Sequence, residues 1–235
     1  MDTVANRATG VQTLDRAVMV VDAVAQLGPC SLGDLVRATG LPRPTAHRLA
    51  VALTRHHVLA RAAGGGFALG ARLVGWGATA GRGLVDAAQP VLVQLVADTG
   101  ESAQLYVREG DRRVCVATHE RRSGLRDTVP LGAVMPLARG SGGTVLLAWS
   151  DDAARFDVDG AVLESVRSVG WAQSVGEREP GVASVSAPVR DARGEVVAAI
   201  SVSGPADRFG SDPGRRLAPT VLAAAAALSA EVPLR

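Results

Sequence analysis

The sequence predicts an α+β chain: an N-terminal winged helix-turn-helix, a linker helix, and a larger α/β domain built on antiparallel strands. Three observations carry that expectation. The stretch "ATGLPRPTAHRLAVALTRHH", from residue 38, sets Gly40, Pro42 and Pro44 between two helical patterns, a connection too short for anything except a helix-turn-helix. Two short apolar runs then flank Gly64 to Gly66, as a wing hairpin would. In the second half, alternating runs are joined at Gly110-Asp111 and at Ala192-Arg193-Gly194, with helical stretches kept apart from them. The expected boundaries are 1–74 for the winged helix, 75–98 for the linker and connector helix, and 99–235 for the second domain.

In the first part, "QTLDRAVMVVDAVAQLG" reads as a core helix, with Leu14, Val18, Val21 and Ala25 at helical spacing and Gly28-Pro29 closing it. Ser31 is placed as the N-cap of a second helix, with Asp34 three residues on in capping-box position, and Gly40 ends it. In the third helix Ala46, Leu49, Ala50 and Leu53 form the face toward the first two. Thr45, Arg48, Ala52 and Arg55 form an exposed, basic stripe, and His56 and His57 are helix-end residues rather than metal ligands. "VLARAAGGGFALG" supplies the two wing strands.

From Leu73 to Thr99 the pattern is helical again, through Leu84, Val85, Ala88, Val91, Leu92 and Leu95, and Pro90 is expected to kink or restart it. Strands follow in "SAQLYVREG", "RRVCVATHE" and "TVPLGAVMPL", helices in "SGGTVLLAW" and "GAVLESVRSVG", and strands again in "GVASVSAPVRD" and "EVVAAISVSG". The alanine-rich "RRLAPTVLAAAAALSAEV" closes the chain as a helix.

Composition removes several classes of chemistry. The 235 residues include no lysine, so all 25 basic residues are arginine, and neither a P-loop lysine nor a Schiff base is available. No G-x-S-x-G occurs, and His119 is the only histidine outside the first part, which leaves a serine triad one candidate base. "GWGATAG" has the wrong glycine spacing for a dinucleotide fingerprint and reads as a flexible hinge. Cys30 and Cys115 are too far apart to form a C-x-x-C and read as buried hydrophobes. With no apolar run of membrane length and no secretory signal pattern, the expected location is cytoplasmic, with no membrane partner. Residues 1–75 hold eight arginines against four aspartates, and the remainder 17 against 19 acids, an asymmetry that suits a nucleic-acid-binding head on a neutral body.

These residues resemble the IclR family of bacterial transcriptional regulators along nearly the whole chain. "GVQTLDRAVMVVDAV" is similar to its opening helix, "SLGDLVRATGLPRPTAHRL" to its helix-turn-helix and "FALGARLVGWG" to its wing exit. "GEREPGVASVSAPVRDARGEVVAAISVSGP" is similar to the block that closes its effector domain. The resemblance implies a GAF-like α/β second domain that binds a small-molecule effector, expected to be an organic or aromatic acid. It also implies a homodimer, often paired into a dimer of dimers, whose winged helices bind a palindromic double-stranded DNA operator. No cofactor, metal or catalytic residue is implied.

On the DNA side, Arg43, Thr45, His47 and Arg48 sit where a recognition helix meets base edges and phosphates, Arg for guanine, Thr for a phosphate or thymine methyl. Arg61 and Gly65 fall at the wing, and Ser31 and Pro44 complete the expected DNA-binding set. For the effector, the resemblance places a helix start at Ser141, Gly142 and Gly143, whose N–H groups would hold a carboxylate. It places the opposing wall at Ser174, Val182, Ser184, Ser201 and Ser203; strand alternation puts Ser201 and Ser203 on one face.

Three departures from the family pattern stand out. Pro44 replaces a common Ser or Thr, Thr144 replaces the lysine of a frequent Gly-Lys, and the segment 148–174 is short, which bears on whether it still closes a ligand pocket. The competing readings are a small-molecule hydrolase and a DNA-binding dimer that no longer responds to a ligand.

Overall fold

The computed structural model describes residues 11–77, 82–210 and 212–232. The chain divides into two units, one ending at Arg82 and the other beginning at Gly83.

The first unit holds α1 (Gln12–Leu27), α2 (Leu32–Thr39), α3 (Arg43–Arg55), the hairpin β1 (Leu59–Arg61) and β2 (Phe67–Leu69), and α4 (Arg72–Gly77). Its core gathers Val20 and Val24 of α1, Leu35 of α2, Ala46 and Ala50 of α3, and Leu59 and Phe67 of the hairpin. The face of α1 differs from expectation: Leu14 and Val18 are 54% and 42% exposed, and Ala25 is exposed too. The helix is apolar on more than one side, and contacts with α2, α3 and β2 select the Val20, Ala23 and Val24 stripe. In α3 the expected stripe holds, with Ala46 and Ala50 fully buried and Leu49 and Leu53 packed beside them. The wing is anchored by a reciprocal bridge, Cys30 N–H donating to the Phe67 carbonyl at 2.9 Å and Phe67 N–H returning the bond at 2.8 Å.

The second unit is a six-stranded antiparallel sheet in the order β5-β4-β3-β8-β7-β6, made of β3 (Ser102–Glu109), β4 (Arg112–His119), β5 (Val134–Pro136), β6 (Ala172–Val175), β7 (Val182–Arg190) and β8 (Val196–Pro205). On one face lie α5 (Arg82–Thr99) and α9 (Pro213–Glu231), closing a core through Leu92, Leu95, Val185, Ile200, Val221 and Leu228. On the other lie α6 (Ser141–Ala148) and α7 (Gly160–Val169), with Tyr106, Cys115, Leu147, Leu163 and Val166 between them and the sheet. A single turn, α8 (Ala206–Phe209), follows β8.

Some details depart from the sequence expectation. Pro90 lies inside α5 without restarting it; the proline is exposed, so the carbonyl it leaves unpaired can meet water. α5, expected as a connector, contributes Leu84, Ala88, Leu92 and Leu95 to the second core. Of "TVPLGAVMPL" only Val134–Pro136 is strand, since Pro130 and Gly132 interrupt the pairing upstream. β6 and α8 have no counterpart in the sequence expectation. The hinge expected in "GWGATAG" falls largely on residues 78–81, outside the described residues.

A bulge in β4 positions the site. Leu105 pairs with Ala117 and Tyr106 with Cys115, so Val116 is an extra residue on β4. Ala117 therefore packs toward α5 and α9 while Cys115 packs toward α6 and α7. Two residues earlier, Arg113 shares the Cys115 face; strict alternation from Ala117 would have turned it to the opposite side.

Candidate nucleic-acid interface and effector cavity

In the first unit the turn between α2 and α3 has local causes. Gly40 takes the left-handed conformation, φ 66°, and its N–H donates to the Val36 carbonyl at 2.9 Å. Leu41 is buried, and Pro42 holds an extended conformation while its carbonyl receives the N–H groups of Thr45 and Ala46 at 2.8 and 3.0 Å. Pro44 is the second helical residue, where no intrahelical acceptor awaits an N–H. The first turn of α3 thus presents Arg43, Pro44, His47 and Arg48 exposed and Thr45 half-buried.

Ser31 has a structural occupation. Its hydroxyl accepts the Asp34 N–H at 3.2 Å and donates to the Asp34 carboxylate at 2.6 Å, while Asp34 also receives the Ser31 N–H at 2.8 Å. These bonds hold the Asp34 carboxyl below its usual pKa, with a smaller contribution from Arg37. At the wing, Arg61 lies 4.5 Å over the Phe67 ring and donates to the Gly65 carbonyl at 3.2 Å. Gly64 and Gly65 have φ of 84° and 85°, a conformation that favours glycine at this tip. Arg72, which the sequence did not single out, donates to the His56 carbonyl at 3.1 Å and so caps the C-terminal end of α3.

In the second unit, seven of the eight residues expected to bind an effector converge on one cavity of about 20 Å³: Ser141, Gly142, Ser174, Val182, Ser184, Ser201 and Ser203. Gly143 does not line it; a Cβ there would sit 1.9 Å from the Leu137 carbonyl, so this glycine serves the close approach of the preceding loop. Register explains the rest: Ser184 pairs with both Ser174 and Ser203, and Ser186 with Ser201, so one face of β6, β7 and β8 is a ledge of hydroxyls. Ser141 at the start of α6 stands 2.7 Å from both Ser184 and Ser186, and Ser186 hydrogen-bonds Ser201 in turn.

The sequence did not reveal Gln104, Tyr106, Arg113, Asp127 and Arg178, which with Gly140 complete the wall. Gln104 accepts the Ser203 hydroxyl at 3.1 Å. Arg113 stacks on Tyr106 at 5.2 Å and donates to the carbonyls of Pro136, at 3.0 Å, and Arg139. Burial lowers the Arg113 pKa and raises that of Tyr106. Burial alone would lower the Arg178 pKa as well, but the Asp127 carboxylate reverses it and leaves it raised. One signal was available in the sequence: a glutamine between apolar residues in "SAQLYV".

Family comparison gives this architecture a context. The chain matches the IclR C-terminal family model over residues 77–157 and 160–230, and the IclR helix-turn-helix model over 13–63. The chain belongs to the IclR family. It is 29% identical to the HTH-type transcriptional regulator BhcR of Paracoccus denitrificans, over 94% of this chain and 87% of that one. It is 30% identical to the glycerol operon regulatory protein of Streptomyces griseus, over 96% and 98%. The fold matches an IclR homologue of Microbacterium hydrocarbonoxydans crystallised with 4-hydroxybenzoate, with a TM-score of 0.72, 19% identity, and coverage of 94% of this chain and 98% of that one. As an IclR-family protein it is a DNA-binding transcriptional regulator with an N-terminal helix-turn-helix and a C-terminal α/β domain. The break in the C-terminal match, at Val158 and Asp159, falls inside the segment expected to be short. Among the described residues no helix is long and apolar enough to cross a membrane.

Proposed function

We propose that this IclR-family regulator is a cytoplasmic homodimer whose two winged helices bind a palindromic operator, and that a small organic acid in the cavity of the second unit modulates that binding. α3 would enter the major groove by its first turn, with Arg48 and Thr45 on base edges or phosphates and Arg43 and His47 beside them. The Arg61–Gly65 wing would lie along the flanking backbone, and Ser31, its hydroxyl committed to the N-cap of α2, would act by holding that helix rather than by touching DNA. No enzymatic role is proposed, as the relatives carry regulator names.

The observation that carries the acid is the start of α6. Its helix is wholly buried, and among the described residues the N–H groups of Ser141 and Gly142 meet no acceptor, while the neighbouring Gly140 N–H is taken by Glu177 at 3.1 Å. Free N–H groups at a helix N-terminus attract an anion, and the serine ledge opposite supplies further hydrogen bonds. Thermal shift across a series of carboxylates tests the reading: a specific acid raises the melting temperature of the full chain and alters its operator affinity. A second reading, a regulator that acts through DNA and dimer contacts alone, draws support from the cavity's size, which is that of a water site.

A further inference from the structure

Among the described residues, two buried side-chain donors of the second unit have no hydrogen-bond partner, Gln104 Nε2 and Arg113 Nε, and both residues line the same cavity. Gln104 is fully buried and Arg113 is 3% exposed. Leaving a buried donor unmet is costly, more so for a charged group, and the neighbouring bonds fix both side chains in place. The Gln104 carbonyl oxygen is held by Ser203, which turns the amide nitrogen the other way. Arg113 is clamped by the carbonyls of Pro136 and Arg139 and by the Tyr106 ring, so it is a rigid group rather than a wandering one.

The charges around the cavity are otherwise accounted for. Arg178 gives both its bonds to Asp127, at 2.6 Å each, and Glu177 receives the Gly140 N–H. No carboxylate of the described residues forms an ion pair with Arg113; its partners are neutral carbonyls and a thioether. What the wall leaves over is therefore two unmet donors, and the Arg113 guanidinium, which no carboxylate touches although Glu177 acts on it from further away, favours an acceptor that is anionic.

We propose that Gln104 and Arg113 are the specificity residues of the effector site, their free N–H groups receiving the two oxygens of a small aliphatic monocarboxylate. This deepens, and rests on, the effector reading above. A cavity of about 20 Å³ lies far below the roughly 300 Å³ at which pockets for drug-sized ligands begin. A cavity this small favours a compact acid, of about acetate size, over an aromatic one.

The test is calorimetric titration of the full chain with sodium acetate, with acetamide as its uncharged match and sodium benzoate as its bulky one. Wild-type protein binds acetate and neither comparator, and Gln104→Met, similar in volume but without the donor, loosens acetate by about tenfold or more. Gln104→Glu, which puts a carboxylate in the donor's place, abolishes acetate binding. Should Gln104→Met not fold, Gln104→Glu and Arg113→Lys carry the same comparison. Equal binding of acetate by wild type and Gln104→Met overturns the assignment of these residues but leaves an acid effector standing. Binding of benzoate or acetamide in preference to acetate overturns the size or charge class. A wild type that binds the operator yet responds to no acid sinks the effector reading and this inference together.

Discussion

The Nη2 atom of Arg178 lies 2.6 Å from both carboxylate oxygens of Asp127, fastening the loop after β6 to the loop before β5 across the wall of the cavity in the second unit. The Asp127 side chain is 6% exposed and that of Arg178 25%, so the pair falls between a surface salt bridge and a buried one. Breaking it leaves a partly buried guanidinium uncompensated. Asp127→Asn should destabilise the second unit by about 1–3 kcal/mol, between the typical exposed and buried values. Thermal unfolding measures this, and adding Arg178→Gln should recover part of the loss because no lone charge remains. An unchanged melting temperature in Asp127→Asn would mean that the clasp is solvated and does not close the cavity.

Arg48 lies exposed in the first turns of α3, where its neighbours Ala46 and Ala50 turn inward. Arg48→Ala should weaken specific operator binding by about 1–3 kcal/mol if it reads a base, with no change in thermal stability. Mobility-shift titration of specific and scrambled duplexes separates the cases: an equal loss on both assigns Arg48 to a phosphate. A fall in melting temperature would instead place its stem in the fold.

The capping box makes the first unit sensitive to acid. Hydrogen bonds from Ser31 lower the Asp34 pKa below its ordinary value of 3.8, so the folded state prefers the ionised carboxyl. That contribution is complete above the ordinary value and is lost as pH falls through the lowered one. Ser31→Ala should cost about 1 kcal/mol at neutral pH and flatten the stability profile of the first unit below pH 4. Urea unfolding across an acid series reads both effects.

Both thiols are closed off. Burial pushes Cys115 up to about 12, despite the nearby Arg113, and burial first and Asp34 second raise Cys30. Native protein at pH 8 should therefore react with a thiol reagent far more slowly than unfolded protein, in which both cysteines are available. Fast labelling of Cys115 would show that the face of the sheet bearing Tyr106 opens readily.

How much of this was legible follows from where each cause lies. The helix-turn-helix was readable because Ser31, Asp34, Gly40, Pro42 and Pro44 act within a few residues of themselves. The buried side of α1 was not, because Leu14 and Val18 are as apolar as Val20 and Val24, and only packing against α2 and α3 separates them. The serine ledge was visible as alternation in β8, whereas Arg113 was hidden: its direction depends on the extra residue Val116, which appears only when β4 is paired with β3. Asp127 and Arg178 stand 51 positions apart in loops, a pairing that no local pattern announces.

In the proposed function, an acid in the cavity controls how the winged helices meet DNA. The most direct measurement is a mobility-shift titration of the full chain on duplex DNA from upstream of its own coding sequence, with and without sodium acetate, at fixed ionic strength. Sequence-specific binding whose affinity changes several-fold with acetate in wild type and not in Gln104→Glu is the expected result. Specific binding that acetate leaves untouched, or that changes equally in both proteins, would contradict it.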